Sequence, residues 1–338
     1  WILPALIAGY GYVYLEPDYL GLGLSEGLHP YQMKEPYGTD VVDLLRAADA
    51  FSSQSDDFQI NEQIFLSGYS EGGYATMAAH QTIERDHLNE FNITASFPMA
   101  GAYDMSGIMT DVMLDYTPYG EPYYFPYVLF AYCDNYQDVL APVEDYLLPE
   151  YASVLPDLFD GTHSGEEINN SIPSIPITIM KPDTISSFEN NVNHPLRLSL
   201  QENDLYDWTP QAPMHIIHGL ADELIPFDNA QLAYDTFTSN GASDVNLIPI
   251  PESFGGHQDA APFALLGAFE MSESMKIINE LGDSNQDGMI DVLDILSIVN
   301  ITLENNYGNY QSWAADMNND SNVDILDIIF LINTILNN

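Results

Sequence analysis

The order of apolar and polar positions predicts that short buried strands alternate with helices along much of this chain. The apolar run at residues 2–8 is typical of the end of a helix, and residues 10–19 have the pattern of a β-strand that runs into a turn. Residues 39–51 have helical spacing, with Thr39 or Asp40 as the predicted N-cap. The N-terminal part is therefore predicted to contain a helix, a strand and a second helix.

The alternation of strand and helix continues beyond this region. A short apolar strand runs directly into a helix, and three more strands and a closing helix follow. The predicted elements are the strand at 63–70, the helix at 71–84, the strands within 93–104, 212–227 and 244–259, and the helix at 261–281. This order predicts an α/β fold with a largely parallel sheet covered on both faces.

Between about residues 103 and 205 the alternation stops, and the sequence becomes rich in Tyr, Pro and Phe, with "YTPYGEPYYFPYVLFAY" at its aromatic centre. We interpret this segment as an insertion that forms a cap with an apolar pocket for part of a substrate. Packing of the same side chains as the core of a subdomain is compatible with that interpretation.

Composition narrows the classes of partner and of fold. Of the 338 residues, 46% are hydrophobic, which is enough for one large core and a small second domain. Six Lys and Arg stand against 51 Asp and Glu, and the resulting net charge of -45 repels nucleic acids and anionic lipids, so both are excluded as partners. Such a charge favours a saline or calcium-containing medium, and an ordinary acidic protein with good solubility is the alternative. The single cysteine, Cys133, excludes an intrachain disulfide, and no run of about eighteen apolar residues predicts a membrane span.

Two serines lie in a Gly-x-Ser-x-Gly pattern, at residues 23–27 and 68–72. A nucleophilic serine needs an exposed oxygen, a base nearby and backbone N–H groups directed at the developing oxyanion. Ser70 follows a buried strand and precedes a helix, so a sharp turn exposes it, and the N–H of Glu71 is the predicted oxyanion donor. Ser25 lies in a glycine-rich loop that runs into Pro30, so we interpret that match as coincidental.

The remaining members of a catalytic triad are expected on loops after later strands. Asp222 follows the strand "MHIIHG", and His257 follows the strand "VNLIPI". Imidazole at His257 would take the serine proton, while the carboxylate of Asp222 would fix its tautomer. The sequence therefore predicts Ser70, Asp222 and His257 as a triad.

Other acids and histidines are weaker candidates for these roles. Asp104, which follows an earlier strand, is an alternative acid, and Glu223 is a further one beside Asp222. His215 and His218 lie on or beside a strand, so we interpret them as sheet residues whose ring nitrogens are satisfied there.

The C-terminal sequence contains an internal repeat, at residues 283–303 and 316–336. Each copy has acid or amide side chains at the spacing with which a calcium loop surrounds its cation with oxygens. The predicted ligands are Asp283, Asn285, Asp287, the Met289 carbonyl, Asp291 and Asp294 in the first loop, and Asp316, Asn318, Asp320, the Asn322 carbonyl, Asp324 and Asp327 in the second. Ser321 stands where a turn glycine is expected, which predicts a weaker second site. A solvated acidic tail without metal is the alternative.

Together, "EPDYLGLG", "HPY", "GYSEGG", "HGLADELIP" and "GGH" resemble the α/β-hydrolase fold, in the secreted lipase and esterase-like branch that carries a large cap. The resemblance covers about residues 1–281 and implies a doubly wound, mostly parallel sheet. It also implies Ser70 as nucleophile, Asp222 as acid, His257 as base and the Glu71 N–H as an oxyanion donor. In hydrolases of this fold, a second oxyanion donor lies on a loop between the third strand and the first helix. Residues 2–8 are interpreted as part of that helix, so the first strands and the donor loop are expected to be missing from this sequence.

Residues 282–338 resemble a type I dockerin, a small all-α module of two loop–helix calcium units. That resemblance implies two bound Ca²⁺ ions and attachment to a cohesin-like partner. Dockerins of cellulosomes usually have hydroxyl or small polar residues at loop positions 10 and 11, where this chain has Val292, Leu293, Ile325 and Leu326. A surface-anchoring protein, or the hydrolase itself, therefore remains an alternative partner.

The sequence thus favours a secreted or cell-surface serine hydrolase that cleaves carboxylic esters without a catalytic cofactor. A peptidase of the same fold is one alternative, since triad geometry does not separate amide from ester hydrolysis. A non-catalytic adhesion or assembly protein with a degenerate or truncated hydrolase domain is another.

Overall fold

A computed structural model describes residues 2–54, 60–277, 280–304 and 308–337. Its strands are β1 Phe65–Tyr69, β2 Ala95–Met99, β3 Met214–Gly219 and β4 Val245–Ile250. Its helices are α1 Ile2–Gly9, α2 Lys34–Ser52, α3 Glu71–Asp86, α4 Ile108–Leu114, α5 Tyr124–Asn135, α6 Pro149–Ala152, α7 Leu155–Leu158, α8 Gly165–Asn169, α9 Pro182–Asn190, α10 Pro195–Glu202, α11 Asp228–Ser239, α12 His257–Met275, α13 Val292–Glu304, α14 Asn309–Ala315 and α15 Ile325–Asn337. Three short 3₁₀ segments lie at Val143–Asp145, Pro176–Ile179 and Glu252–Phe254.

The four strands form one parallel sheet in the order β1-β2-β3-β4. All five residues of β2 are buried, as expected for an inner strand whose two faces are both covered. Because the strands are parallel, all four end at the same edge of the sheet. Ser70, Leu220 and Pro251 are the residues that follow β1, β3 and β4, so the loops that begin there meet at that edge.

The structure divides into two compact units. One comprises Pro17–Val42 and Phe65–Met271, and the other comprises Trp1–Glu16, Asp43–Ile64 and Ser272–Asn338. The first unit contains the sheet and a hydrophobic core rich in tyrosine, phenylalanine and methionine. In the second unit, α13 packs against α15 around a small core of buried residues, which are Ile298, Ile301, Ala315 and Leu331.

Several predicted boundaries were wrong, each for an identifiable reason. Residues 10–19 form no strand among the described residues, because none of the four strands pairs with them and alternation alone does not create a ladder. Helix α2 begins at Lys34, ahead of the predicted N-cap, since Pro36 is tolerated in a first turn. Helix α12 begins at His257, and α11, between β3 and β4, was not predicted. The aromatic segment between β2 and β3 consists of the short helices α4 to α10.

Candidate active site

Ser70 occupies a strained turn between β1 and α3, with φ 61° and ψ -119°. Its own N–H donates to the carbonyl of Met99 on the neighbouring strand, at 2.8 Å. A non-glycine residue at positive φ costs about 1–3 kcal/mol and persists only where its surroundings impose it. The turn directs the side chain away from the sheet, as the predicted role of Ser70 requires.

The glycines around Ser70 differ in how closely they are packed. A Cβ at Gly68 would clash with the carbonyl of Gly72, and a Cβ at Gly73 would clash with the carbonyl of Met99. An added Cβ at Gly72 meets nothing within 4 Å. The close contacts between strand and helix at this turn therefore occur at Gly68 and Gly73, and Gly72 takes no part in them.

His257, the first residue of α12, lies between the other two predicted triad residues. Its Nε2 is 2.8 Å from the Oγ of Ser70, and its Nδ1 is 2.6 Å from the Oδ2 of Asp222. The ring is almost fully buried, and Tyr69 donates its hydroxyl hydrogen to the His257 carbonyl. Since Asp222 can only accept a hydrogen bond when ionised, Nδ1 carries the proton and Nε2 is free to accept from Ser70. The structure brings the three predicted residues into one hydrogen-bonded chain.

The carboxylate of Asp222 is held by its own loop. Its Oδ1 accepts hydrogen bonds from the N–H groups of Leu224 and Ile225, at 3.0 and 2.8 Å. Burial alone would raise the pKa of Asp222, but the contacts with His218, His257 and these amides outweigh burial and hold the pKa well below its usual range. Asp222 is therefore ionised at neutral pH.

The alternative acids lie elsewhere in the site. Asp104 accepts the N–H groups of Gly107 and Ile108 at the start of α4. Glu223 approaches His257 through the main chain, where its Oε2 accepts the His257 N–H at 2.9 Å. Neither carboxylate therefore replaces Asp222 in the contacts that the ring of His257 makes.

The other weaker candidates also have structural contacts. The hydroxyl of Ser25 accepts the N–H of Gly21 within its own loop, and the ring of His215 stacks on Phe97. His218 has a closer relation to the site than its position on a strand suggested. Its Nε2 lies 2.9 Å from the carbonyl of Ile225 and 3.3 Å from the Oδ2 of Asp222. In the sequence, the only signal for the contact between His218 and Asp222 was that a histidine on a predicted strand lies four residues before the predicted acid.

Glu71 begins α3, directly after Ser70, and its main-chain N–H has no hydrogen-bond partner among the residues that the structure describes. The first N–H groups of a helix lack intrahelical acceptors and carry partial positive charge, so they suit a developing oxyanion. The Glu71 side chain accepts hydrogen bonds from Tyr37 and His29. His29 belongs to the HPY motif, but sequence analysis assigned no role to it or to Tyr37.

A pocket adjoins Ser70 and His257. Its other lining residues are mostly apolar and come largely from the aromatic insertion. They are Tyr31, Gln32, Ala102, Met105, Met109, Val112, Met113, Tyr119, Tyr124, Phe125, Val128, Pro176, Leu224 and Ile225. Burial raises the pKa of Tyr119 and Tyr124, so their phenols stay neutral. This wall of methionine and aromatic side chains favours an apolar group beside the serine.

The two acidic loops of the C-terminal segment have the same hydrogen-bond pattern. Asp283 and Asp316, at the first position of each loop, accept N–H groups from the fifth and sixth positions. Asp294 and Asp327, at the last position, accept N–H groups from the third and ninth positions. The remaining predicted side-chain ligands accept from the residue two positions further on, and they are Asn285, Asp287, Asp291, Asn318, Asp320 and Asp324. Met289 and Asn322, predicted to ligate through their carbonyls, occupy the same place in each loop.

The oxygen atoms of these loops are of the kind that binds a hard cation. Among the described residues, however, no three His, Cys, Asp or Glu side chains are already arranged around one metal position. Asp283, Asp294 and Asp327 are buried, and no Lys, Arg or His follows Lys276 in the sequence. Burial and the neighbouring Asp283 and Asp287 raise the pKa of Asp294. Buried carboxylates without a basic partner need a cation to stay charged at low cost, and oxygen ligands of this kind suit Ca²⁺.

Three family models match separate stretches of the chain. Residues 3–148 match the prolyl oligopeptidase family, residues 189–265 match the secretory lipase family, and residues 281–336 match the type I dockerin domain. No curated protein gives a significant match. The lipase match includes both Asp222 and His257, and the dockerin match includes both acidic loops.

Solved structures extend this similarity over most of the chain. A protein of Legionella pneumophila subsp. pneumophila, provisionally named a hydrolase, is 26% identical with a TM-score of 0.74, over 81% of this chain and 73% of that one. The rice cell wall degrading esterase LipA from Xanthomonas oryzae is 27% identical with a TM-score of 0.68, over 77% of this chain and 71% of that one. This chain has the α/β-hydrolase fold.

A more distant α/β-hydrolase neighbour, Candida antarctica lipase A, is 19% identical with a TM-score of 0.57, over 73% of this chain and 55% of that one. At that identity the likeness concerns the fold alone. The resemblance to hydrolases of the lipase and esterase branch, followed by a type I dockerin, is confirmed. Among the described residues, no helix is both long and apolar enough to cross a membrane.

Proposed function

We propose that the protein hydrolyses carboxylic esters through an acyl-enzyme formed on Ser70. The observation that carries the proposal is the hydrogen-bonded chain from Ser70 through His257 to Asp222, at the side of an apolar pocket. The similarity to an esterase of known structure and to the secretory lipase family supports an ester as the substrate.

In the first half of the cycle, the Oγ of Ser70 attacks the ester carbonyl while Nε2 of His257 takes its proton. The carbonyl oxygen becomes an oxyanion, for which the N–H of Glu71 at the start of α3 is the proposed donor. His257 then gives the proton to the departing alkoxide, which leaves as an alcohol, and the acyl group stays on Ser70. Asp222 stabilises the imidazolium that exists between these two proton transfers.

In the second half, a water molecule takes the place of the alcohol. His257 removes a proton from this water, and the hydroxide attacks the acyl carbon of the ester on Ser70. Collapse of the second oxyanion breaks the bond to Oγ, which regains its proton from His257. The products of this half are a carboxylic acid and the free enzyme, and the proposed cycle uses no catalytic cofactor.

Peptide hydrolysis is the second candidate, because residues 3–148 match the prolyl oligopeptidase family. The apolar pocket favours an ester of an apolar acid or alcohol, since it offers few polar groups to bind a peptide main chain. The two candidates differ in the bond that is broken, so matched ester and amide substrates separate them.

The test compares 4-nitrophenyl esters of increasing acyl length with 4-nitroanilides of the same acids and of short peptides. We expect ester hydrolysis that is lost in Ser70→Ala and retained in Ser25→Ala, with much slower amide hydrolysis. A preference for peptide anilides would favour the peptidase. Ester hydrolysis that survives Ser70→Ala, or none at all in a folded wild-type protein, would exclude the proposed mechanism.

We further propose that the C-terminal segment attaches the hydrolase to a cohesin-like protein outside the cell or at its surface. Type I dockerins bind calcium in general, and this chain's two loops would bind two Ca²⁺ ions, which neutralise the buried carboxylates. Val292 and Leu293 in the first repeat, and Ile325 and Leu326 in the second, are exposed at equivalent positions and offer an apolar contact surface.

Calorimetry with a purified type I cohesin tests this attachment. Binding should require Ca²⁺ and should weaken in Val292→Asp and Ile325→Asp, with Val139→Asp in the turn after α5 as a control for an exposed apolar residue elsewhere. Absence of binding in saturating Ca²⁺ would favour a different surface-anchoring partner.

A further inference from the structure

His29 is buried beside the first turn of α3, in contact with the residue that follows Ser70. Its Nδ1 is 2.7 Å from the carbonyl oxygen of Leu20, and its Nε2 is 2.8 Å from the Oε1 of Glu71. Tyr37 completes the group, since its hydroxyl is 2.7 Å from the same Oε1 and 2.9 Å from Nε2. The side chain of His29 is 1% exposed, whereas that of Glu71 is 35% exposed.

The number of hydrogens in this cluster can be counted from its acceptors. A main-chain carbonyl cannot donate, so Nδ1 of His29 carries a hydrogen. Tyr37 has one hydroxyl hydrogen, and its burial and the charge of Glu71 raise its pKa well above the usual value, so it donates to Oε1. The short contact between Nε2 and Oε1 then needs a hydrogen of its own. His29 and Glu71 together therefore hold one proton more than a neutral imidazole and a carboxylate.

The surroundings of His29 are aromatic. Four tyrosine rings lie around it, with centroid distances of 5.5 Å for Tyr37, 6.2 Å for Tyr19 and Tyr127, and 6.3 Å for Tyr31. These rings keep water from the imidazole, so the carboxylate of Glu71, 2.8 Å from Nε2, is the group that offsets the cost of burying the additional proton. The cluster is thus a neutral ion pair.

We propose that His29 is a positioning residue of the active site, which neutralises Glu71 and holds its side chain in place at the start of α3. This inference rests on the proposed role of the Glu71 N–H as an oxyanion donor. An unpaired carboxylate one residue from Ser70 would repel the negative charge that develops on the substrate oxygen. Pairing with His29 removes that repulsion and fixes the turn that carries the N–H.

The repulsion acts on the transition state, whereas the ground-state ester is neutral. Loss of His29 should therefore lower kcat with little effect on KM. The decisive comparison is between His29→Gln, Glu71→Gln and the double variant. If the unpaired charge of Glu71 is what slows His29→Gln, removing that charge must restore activity.

The matched control is His80, which forms a second buried histidine–glutamate pair on the same helix. Its Nε2 is 2.9 Å from the Oε1 of Glu84, and its Nδ1 is 2.7 Å from the hydroxyl of Ser96. His80 lies more than two turns beyond Ser70, so His80→Gln tests the effect of breaking such a pair away from the site.

With a 4-nitrophenyl ester, we expect kcat of His29→Gln to fall about 10- to 100-fold. Glu71→Gln removes the charge itself and keeps the main-chain N–H, so the double variant should be faster than His29→Gln and should match Glu71→Gln. A double variant as slow as His29→Gln, or an equal loss in His80→Gln, would overturn the proposal. Ser70→Ala in the same assay reports separately on the proposed function.

Nitrogen-15 NMR of histidine-labelled protein tests the ion pair without any substrate. At pH 7.5 the wild type should show a ring with both nitrogens protonated, and this signal should vanish in His29→Gln and persist in His80→Gln. If the wild type shows no doubly protonated ring, or if the signal persists in the His29→Gln variant, the ion pair between His29 and Glu71 is contradicted. This outcome does not depend on whether the protein hydrolyses an ester.

Discussion

Nε2 of His257 lies 2.8 Å from the Oγ of Ser70, although the two residues are 187 positions apart in the sequence. The parallel sheet accounts for this proximity, because β1 and β4 both end at the edge where these residues follow. Asp222 reaches the same edge after β3, so three loops of one sheet contribute the hydrogen-bonded chain.

The identity of the acid gives the first prediction. Asp222→Asn should lower kcat by about 10⁴-fold, because an amide donates to Nδ1 and stabilises the wrong tautomer of His257. Asp104→Asn is the matched control, since the described hydrogen-bond partners of the Asp104 carboxylate lie at the start of α4. Steady-state hydrolysis of a 4-nitrophenyl ester measures kcat of both variants. A larger loss of kcat in Asp104→Asn than in Asp222→Asn would show that Asp222 is not the acid of the triad.

Two adjacent glycines after Ser70 give a prediction about stability. Gly73→Ala should lower the melting temperature by roughly 5 °C or more, because the new Cβ would overlap the Met99 carbonyl. Gly72→Ala should change it by less than about 2 °C, since its Cβ enters open space. Differential scanning calorimetry of the two variants makes the comparison, and equal shifts would mean that the packing at this turn has been misread.

Asp204 gives a prediction about pH. Burial raises its pKa from the ordinary 3.8 to about 6, although Ser106 donates to both carboxylate oxygens. Between these two values the unfolded chain ionises Asp204 while the folded protein keeps its proton, so stability falls as pH rises through this window. In Asp204→Asn that part of the decline should be absent.

Urea unfolding at pH 4, 5, 6 and 7.5 measures the effect as the difference between variant and wild type, which removes the contribution of the other carboxyl groups. Asp207→Asn serves as an exposed control and should keep the wild-type decline. Parallel curves for Asp204→Asn and wild type would show that Asp204 has an ordinary pKa.

The two loops of the C-terminal segment predict a reciprocal effect on calcium affinity. Gly288 and Ser321 occupy the same loop position with φ of 79° and 66°, a conformation that costs a serine about 1 kcal/mol more than a glycine. Ser321→Gly should therefore strengthen the second site about fivefold, and Gly288→Ser should weaken the first by a similar factor. Calorimetric titration of the EDTA-treated full-length protein measures both, and a stronger second site in the wild type would reverse the expected order.

Much of this site was accessible from the sequence because its signals are local. The turn at Ser70 needs a short apolar strand, small residues and a helix in immediate succession, and Asp222 and His257 each follow an apolar strand. Hydrogen-bonding partners that approach from distant parts of the chain left no such signal. His29 and Tyr37 contact Glu71 only through the fold, and so their contribution had to be read from the structure.

The missed elements have a related explanation. Residues 10–19 alternate like a strand, but a strand exists only if another strand pairs with it. Helix α11 mixes polar and apolar residues and has no side-chain cap. Helices α6, α7, α9 and α10 each have a proline in one of their first two positions, and a proline starts a helix as readily as it ends one. Tertiary packing decides such cases.

The most direct test of the account is covalent labelling with a fluorophosphonate, followed by mass spectrometry of the tryptic and chymotryptic peptides. The reagent reacts with a serine only where a base activates it and an oxyanion site accepts the phosphonyl oxygen. We expect one modified residue, Ser70, with labelling lost in Ser70→Ala and His257→Gln and unchanged in Ser25→Ala. Labelling of another serine, or labelling that survives Ser70→Ala, would contradict the assignment of the nucleophile.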